Sequence, residues 1–400
     1  MAVDRRLMET AVAVLLCEPQ ANGKALTQAQ IAKRLGTNQP RVSRIIRSLC
    51  KHRKIEKVTI TRPSPALTET PQWRQARQQL YKDEQIRDEM AAQSPHEDVF
   101  RLEVVGAKPP KSSSEFGRAA APIVAGLLRN AHSVGVGCGR TLDAVARALP
   151  SLDALNDAGP ARGRDLRIFP ILGEPNHLQN RDQNPVYSAS LVAEAMQVSL
   201  FGQIDRSMPV LRGVPAYIAR RFRSDMMIEM FKEIPGYRRI FVGENAEIAN
   251  LDTIISGVGV VSHLDDQMRG AMVKELLEQE QIAPVREDRI TAERLNDVID
   301  GEIAGILLPK RRSRESDTIN DLNCGLVGLQ EAHLQQVCDR TRHTEDEGRA
   351  AGVIVLAFGE SKIPVVANAI RRGLLTTLVT SRDFARALNR HFRETGQEGP

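Results

Sequence analysis

Aromatic residues are scarce in this chain: ten Phe, four Tyr and one Trp serve 400 residues. Single-stranded nucleic acid is held on exposed rings that stack against bases, so the scarcity argues against a stacking RNA-binding protein. Cysteine is scarce too. Cys17, Cys50, Cys138, Cys324 and Cys338 are odd in number and never spaced C-x-x-C, which excludes a disulfide framework, argues against structural zinc and suits a reducing cytoplasm. No apolar run approaches the roughly 18 residues of a membrane span. Arg5 and Arg6 ahead of Ala11 to Leu16 mimic a signal peptide, but Glu9 interrupts the apolar region and no small-residue cleavage site follows. The expectation is a cytoplasmic protein without a membrane partner. Its hydrophobic content of 42% can bury a sizeable core and excludes wholesale disorder, and the length favours two or three domains.

The net charge of +5 conceals a division. Residues 1–62 hold 13 basic and 4 acidic side chains, a net of +9, and the remainder is −4. A basic module joined to a mildly acidic one points to a polyanion reader attached to a part that stays off nucleic acid.

Three helical patterns fill the basic module. The first spans about residues 4–17, and Thr27 with Gln30 forms a capping box for the second. Gly36 can end that helix, Thr37 or Asn38 can cap a third, and Pro40 suits its first turn. Val42, Ile45, Ile46 and Leu49 form one apolar stripe on the third helix. Ile31, Leu35, Val42 and Ile45 supply a shared core, with small Ala32 at the close approach, which is the packing of a helix-turn-helix. The period changes to two from Lys54 to Ile60, as in a wing. The helix from Gln39 is expected in the major groove of double-stranded operator DNA, where Gln39, Arg41, Ser43 and Arg44 are candidates for base edges, and Thr37 and Asn38 at its start are also expected to bind DNA. Arg47, Lys51, Arg53, Lys54 and Lys57 hold phosphates in this reading. One small reader binds weakly, so dimerisation on a pseudo-palindrome is expected.

The expected domains are a winged helix-turn-helix at 1–62, a linker and connecting helix at 63–114, an α/β domain at 115–391 and a polar tail at 392–400. Strands are predicted at 133–136, 166–172, 253–256, 353–358 and 375–380. Helices are predicted at 117–130, 141–149, 188–200, 268–280, 291–299, 330–340, 360–372 and 381–391, an alternation that predicts a mostly parallel sheet covered by helices. Glycines at 135, 137 and 139 let backbone amides converge ahead of a helix that begins near Thr141, a place for an anionic or hydroxyl-rich ligand. A G-x-G-x-x-G frame from Gly135 fails at Arg140 and no phosphate-loop lysine motif exists, so neither a dinucleotide nor ATP is supported and no cofactor is predicted. Two further turns, Ser256-Gly-Val-Gly259 and Phe358-Gly-Glu-Ser-Lys362, end apolar runs. Open α/β sheets bind ligands at the carboxyl ends of their strands, where these three turns meet. Eight scattered histidines form no acid/base or metal constellation, and His263 is the one near a turn.

The helix-turn-helix at 27–49, Val134-Gly-Val-Gly-Cys-Gly-Arg-Thr-Leu142, Gly301-Glu-Ile-Ala-Gly305 and the run from Gly359-Glu-Ser-Lys-Ile363 through Arg372-Gly-Leu-Leu375 to Leu378-Val-Thr-Ser-Arg-Asp383 together resemble the SorC-family transcriptional regulators. That family is grouped with DeoR-type repressors and includes the central glycolytic genes regulators. The resemblance covers nearly the whole chain. It implies a Rossmann-like α/β effector domain similar to the fold of glucosamine-6-phosphate deaminase and ribose-5-phosphate isomerase, a sugar or sugar-phosphate effector, and a homo-oligomer, dimer or tetramer. Gly137, Cys138, Gly139, Arg140 and Thr141 would line the effector, Gly257 and Gly259 would wall it, and Glu302 and Lys362 would hydrogen-bond or ion-pair with it. Where the family often carries an Asp-Ile-Cys-Gly-Arg-like segment, this chain has Glu302-Ile-Ala-Gly-Ile306, leaving the identity and phosphorylation of the effector open. A sugar-controlled repressor, not an enzyme, is the leading expectation. The alternative is a sugar-phosphate isomerase or deaminase with a basic appendage.

Overall fold

The computed structural model describes residues 12, 26–35, 37, 39, 42–46, 83–105, 110–151, 166–174, 188–261, 273, 276, 277, 280, 291–310, 316–343 and 350–396. The chain divides into two compact units, Met1–Glu89 and Met90–Pro400. In the first, helix α1 (Gln28–Arg34) opens with the expected capping box: the Gln30 amide donates to the Thr27 hydroxyl at 3.3 Å, and Gln30 Oε1 accepts from the Thr27 amide at 2.8 Å. Ile31 and Ala32 of α1 are buried, as are Val42 and Ile46 of the helical stretch at 42–46, while Leu35 and Ile45 are half-buried. Gln39 and Arg44 are exposed, and Thr37 and Ser43 partly so. Gly36, Asn38, Pro40, Arg41, Arg47, Lys51, Arg53, Lys54, Lys57 and the predicted wing lie outside the described residues.

In the second unit, six strands form one all-parallel sheet: β1 (Arg101–Val105), β2 (Ser133–Val136), β3 (Arg167–Pro170), β4 (Thr253–Ser256), β8 (Gly352–Ala357) and β9 (Thr377–Ser381). Its order is β1-β9-β8-β4-β2-β3. A smaller antiparallel sheet is formed by β5 (Val258–Gly259), β6 (Ile299–Ile303) and β7 (Ile306–Pro309), in that order. The helices are α2 (Ser113–Leu127), α3 (Arg140–Ala148), α4 (Ala189–Phe201), α5 (Asp225–Glu233), α6 (Pro235–Phe241), α7 (Ala292–Val298), α8 (Ser316–Asn323), α9 (Glu331–His343), α10 (Ile363–Arg371) and α11 (Arg382–Gly396).

Every residue of β2, β4, β8 and β9 is buried, which explains why these strands carry no charged residue: a parallel sheet is covered on both faces. Successive side chains point to opposite faces. Val134, Val136, Ile255, Ile354 and Leu356 share a core with α2, α3 and α4. The alternate residues face the other way, where α9 packs on β8 and β4. Threonines in the dry region around β9 satisfy their hydroxyls on backbone. Thr376 and Thr377 each donate to the Ala351 carbonyl, at 2.8 and 2.9 Å.

All five predicted strands are present within a residue or two. β1, which lies within the stretch expected to link the domains, is an edge strand with only Leu102 and Val105 buried, so it offers no apolar run to read. Ser113 and Ser114, expected in a loop, open α2 behind the Ser112 cap, and α11 continues past residue 392 through buried Phe392. The helix expected at 291–299 stops at Val298, and Ile299 begins β6. Of the helix expected at 268–280 only four residues are described.

Candidate functional site

Numbered from β2, the five strands β3-β2-β4-β8-β9 follow the order 2-1-3-4-5 of a doubly wound sheet. In that order the chain leaves β2 towards one edge and returns at β4 towards the other. The crevice between the carboxyl ends of β2 and β4 is the place where such sheets receive ligands. Here it is bounded by Gly137-Cys138-Gly139 after β2 and Ser256-Gly257 after β4. The Gly137 amide donates to the Ile255 carbonyl at 3.0 Å. A Cβ on Gly137 would sit 2.9 Å from Ser256 Oγ, so only glycine allows this approach. Gly139 has φ 120° and serves as the N-cap of α3 without a side-chain cap. The first amides of α3 therefore have no capping side-chain oxygen from the N-cap residue.

The third turn leaves β8 through Phe358 and Gly359 into a short 3-10 turn, Glu360–Lys362, and then α10, whose start also lacks a side-chain cap. Two helix N-termini thus follow two strands of the same sheet, and the field at both favours negative charge. Lys362 is half-buried and its ammonium lies 5.3 Å from the centre of the Phe358 ring. That ring stacks on Phe116 of α2 at 4.9 Å. Burial, joined by the positive charge of Arg140, lowers the Lys362 amine to about 8, against the opposing pull of Glu302. Burial and the same Glu302 carboxylate push the Cys138 thiol up, which keeps it protonated and unreactive as a nucleophile.

Glu302 arrives from the small sheet. It is buried and pairs across strands with Gly259, where a Cβ would fall 2.1 Å from its Oε1. The β6–β7 hairpin turns on Ala304 (φ 49°) and Gly305 (φ 82°), a two-residue loop with both residues in the left-handed region. Ser256 Oγ accepts from the Ala304 amide at 3.0 Å and its hydroxyl donates to the Gly257 carbonyl at 3.0 Å, tying the hairpin to the end of β4. Asn368 of α10 donates to Asp300 and to the Pro309 carbonyl, both at 2.7 Å. From α8, Asn323 donates to the Leu307 carbonyl at 3.0 Å and accepts from its amide at 2.9 Å. Glu302 is thus carried by a hairpin tethered to three other elements.

Of the residues expected at the site, Glu302 lies within electrostatic reach of both Cys138 and Lys362, and Lys362 within reach of Arg140. Gly137, Gly139, Gly257 and Gly259 form the walls, and the carbonyl of Cys138 lies 3.6 Å from where a Cβ on Gly257 would be. Arg140 is exposed at the first turn of α3, and Thr141 beside it is buried. Ser256, Ala304 and Phe358 belong to the arrangement but carry no sequence signal beyond membership of the turns; Ala-Gly is not a strong hairpin dipeptide. Among the described residues no group of three or more His, Cys, Asp or Glu could hold a metal ion, and no helix is long and apolar enough to cross a membrane. His263 lies outside them.

No protein-family model and no curated protein matches the sequence. Solved structures do. The full-length sorbitol operon regulator SorC from Klebsiella pneumoniae aligns over 97% of this chain and 99% of its own, with a TM-score of 0.53 and 17% identity. A transcriptional regulator from Streptococcus pneumoniae aligns over 80% of this chain and 99% of its own, with a TM-score of 0.52 and 13% identity. The fold is therefore that of SorC-type regulators, the family that the sequence motifs resemble, and at these identities the likeness is one of fold.

Proposed function

We propose that the chain is a cytoplasmic, sequence-specific DNA-binding repressor controlled by a sugar or sugar phosphate bound between the ends of β2, β4 and β8. The observation that carries this reading is the meeting of two uncapped helix N-termini, Arg140, Lys362 and the buried Glu302 at the switch point of a doubly wound sheet. The amides and cations suit an anionic or strongly polar group, and a buried carboxylate suits a pair of hydroxyls. Gly137, Cys138, Gly139, Arg140, Thr141, Gly257, Gly259, Glu302 and Lys362 form the effector site in this reading. DNA contact falls to the basic N-terminal module, taken as a winged helix-turn-helix over residues 1–62. Exposed Gln39 and Arg44 face base edges with Arg41 and Ser43, Thr37 and Asn38 touch the DNA at the start of that helix, and Arg47, Lys51, Lys54 and Lys57 hold phosphates. Residues 63–114 connect the modules, β1 joins the sheet of the effector unit, and the working form is a dimer or tetramer.

The reading is tested in two arms. A panel of sugars and sugar phosphates should raise the thermal midpoint of the wild type, and the rise should vanish when Arg140→Ala and Lys362→Ala are combined. A shift that survives the double substitution places the ligand elsewhere. Operator footprints should be lost with Arg41→Ala and Arg44→Ala, and unchanged footprints refute the recognition helix. A second reading, a sugar-phosphate isomerase or deaminase, is favoured by the buried Glu302 near an amine lowered to about 8, a pair able to move protons. Turnover of any panel member would assign it.

A further inference from the structure

His96 is 7% exposed, and its Nε2 lies 3.1 Å from the carbonyl of Gly373, 277 residues along the chain. A carbonyl can only accept, so Nε2 donates and Nδ1 keeps its lone pair. That Nδ1 is buried without a hydrogen-bond partner among the described residues. An orphaned buried acceptor costs free energy that a leucine in the same place would not.

Gly373 lies at the end of α10. The Gly373 amide donates to the Ile370 carbonyl and the Leu374 amide to that of Ala369, both at 3.0 Å, which closes the helix on a left-handed glycine with φ 67°. A Cβ there would fall 2.9 Å from His96 Nε2, so the close approach requires glycine. At its other end α10 starts from Lys362, its N-cap, and the nine residues between span about 13 Å. Midway, Asn368 donates to Asp300 on the strand that carries Glu302, and a Cβ on Gly301 would fall 2.6 Å from Val365 Cγ2. Lys362 and Glu302 therefore both bear on one helix. Val365, Val366, Ala367, Ala369 and Ile370 are buried, so α10 responds as a body.

His96 sits where the chain arrives from the first unit. Residues 83–91 are helical and contain the boundary between the units. In the first unit, Glu84 pairs with Arg34 of α1 at 3.6 Å. In the second, Met90 is fully buried, the Ser94 amide donates to the Ala91 carbonyl at 2.9 Å, and the His96 amide donates to Ser94 Oγ at 3.1 Å. The His96 carbonyl accepts from the amides of Val99 and Phe100 at 3.0 and 2.9 Å, just ahead of β1. A shift of His96 is thus passed through short hydrogen-bonded turns to residues 83–91.

We infer that α10 and the His96–Gly373 hydrogen bond couple the effector site to helical residues 83–91 and through them to the DNA-binding module, an inference that rests on the effector reading above. Coupling needs an element with two arrangements close in free energy, both sites biasing the balance. The joint at His96 meets that condition. It satisfies one ring nitrogen and leaves the other without a partner, so an arrangement that releases Gly373 and pairs the second nitrogen lies close in free energy. A ligand drawing on Lys362 and Glu302 displaces α10, and the joint at its far end moves with it.

The test is amide hydrogen exchange of the full chain, with inorganic phosphate at high millimolar concentration compared with chloride of equal ionic strength. Phosphate should slow exchange at residues 138–141 and change it by about threefold or more at Val99, Phe100 and 83–91. In His96→Leu the slowing at 138–141 should persist while the distant change disappears. Gly373→Ala, which drives a Cβ against the imidazole, should act likewise. His96→Gln keeps a side-chain donor for the Gly373 carbonyl and should keep the distant change, which the filling of space alone would not do. A variant that fails to fold would lose the slowing at 138–141 as well. Phosphate that protects 138–141 in the wild type yet leaves 83–100 unchanged overturns the inference. So does a distant change that survives in both His96→Leu and Gly373→Ala, or one that is lost equally in His96→Gln and His96→Leu. A wild type without protection at 138–141 instead refutes the effector site, and the inference with it, so the two failures read differently.

Discussion

Gly137, Gly139 and Gly257 reach the site from the parallel sheet, whereas Glu302 reaches it from the antiparallel hairpin, and the two sheets contribute different things. The parallel sheet brings backbone: amides, helix starts and close approaches that glycine allows, all generic to an anionic ligand. The hairpin brings one buried carboxylate, Glu302, on a strand pair whose Leu307, Asp300 and Ala304 are held by Asn323, Asn368 and Ser256. Binding strength should therefore depend chiefly on the first sheet with Arg140 and Lys362, and selectivity on the second. The same division explains why the hairpin tolerates a left-handed alanine at 304: its position is set by three side-chain tethers rather than by turn preference alone.

The comparison breaks first at Lys362. Lys362→Ala should weaken an anionic effector about a hundredfold, or about 2–3 kcal/mol, by isothermal titration. In the wild type the amine is protonated below about 8, so affinity for such an effector should fall as pH rises through that value, and Lys362→Arg should abolish the fall. The linked effect on folding has the opposite sign. With the folded amine lowered from 10.5, the unfolded chain binds more protons between about 8 and 10.5, so the contribution of Lys362 to stability rises across that window.

Next in size is Gly259→Ala. The new Cβ would fall 2.1 Å from Glu302 Oε1 and 2.5 Å from its Cγ, so Glu302 must move. The expected loss is about 2 kcal/mol in denaturant unfolding, accompanied by weaker binding of every effector on the panel. Glu302→Gln separates the two sheets more finely. Hydroxyl-rich neutral sugars should lose about tenfold in affinity, near ~1.4 kcal/mol, while inorganic phosphate should bind more tightly because a repelling charge is gone. A uniform loss for both ligands would assign Glu302 to the scaffold instead. The smallest effect belongs to Ala304→Gly, which relieves the left-handed conformation and should raise stability by about 0.5–1 kcal/mol without changing selectivity.

The strands legible in the sequence are those buried on both faces: Ser133 to Val136, Thr253 to Ser256 and Gly352 to Ala357 are short, uncharged and mostly apolar because no side of them meets water. β1 is illegible for the opposite reason, since at the sheet's edge Arg101 and Glu103 are only half-buried and break the run. β5 to β7 are held by tethers from residues distant in sequence, Ser256, Asn323 and Asn368, and no local pattern encodes such tethers. The glycine loop before Thr141 is readable because a strand, a close approach and a helix start demand small residues at fixed offsets. Ser256 is not, because its hydroxyl acts through a bond to a residue 48 positions away.

What the sequence by itself determined was the alternation of buried strands and helices, the scarcity of rings and cysteines, and the asymmetry of charge between residues 1–62 and the rest, since each follows from local composition and period. Only the tertiary structure decided that β2 and β4 would be neighbours at a switch point, that Glu302 would come from a second sheet to within electrostatic reach of Lys362, and that α10 would end against His96. Those outcomes depend on the order in which strands pair and on which surfaces remain once they have paired, and neither is written within a single element.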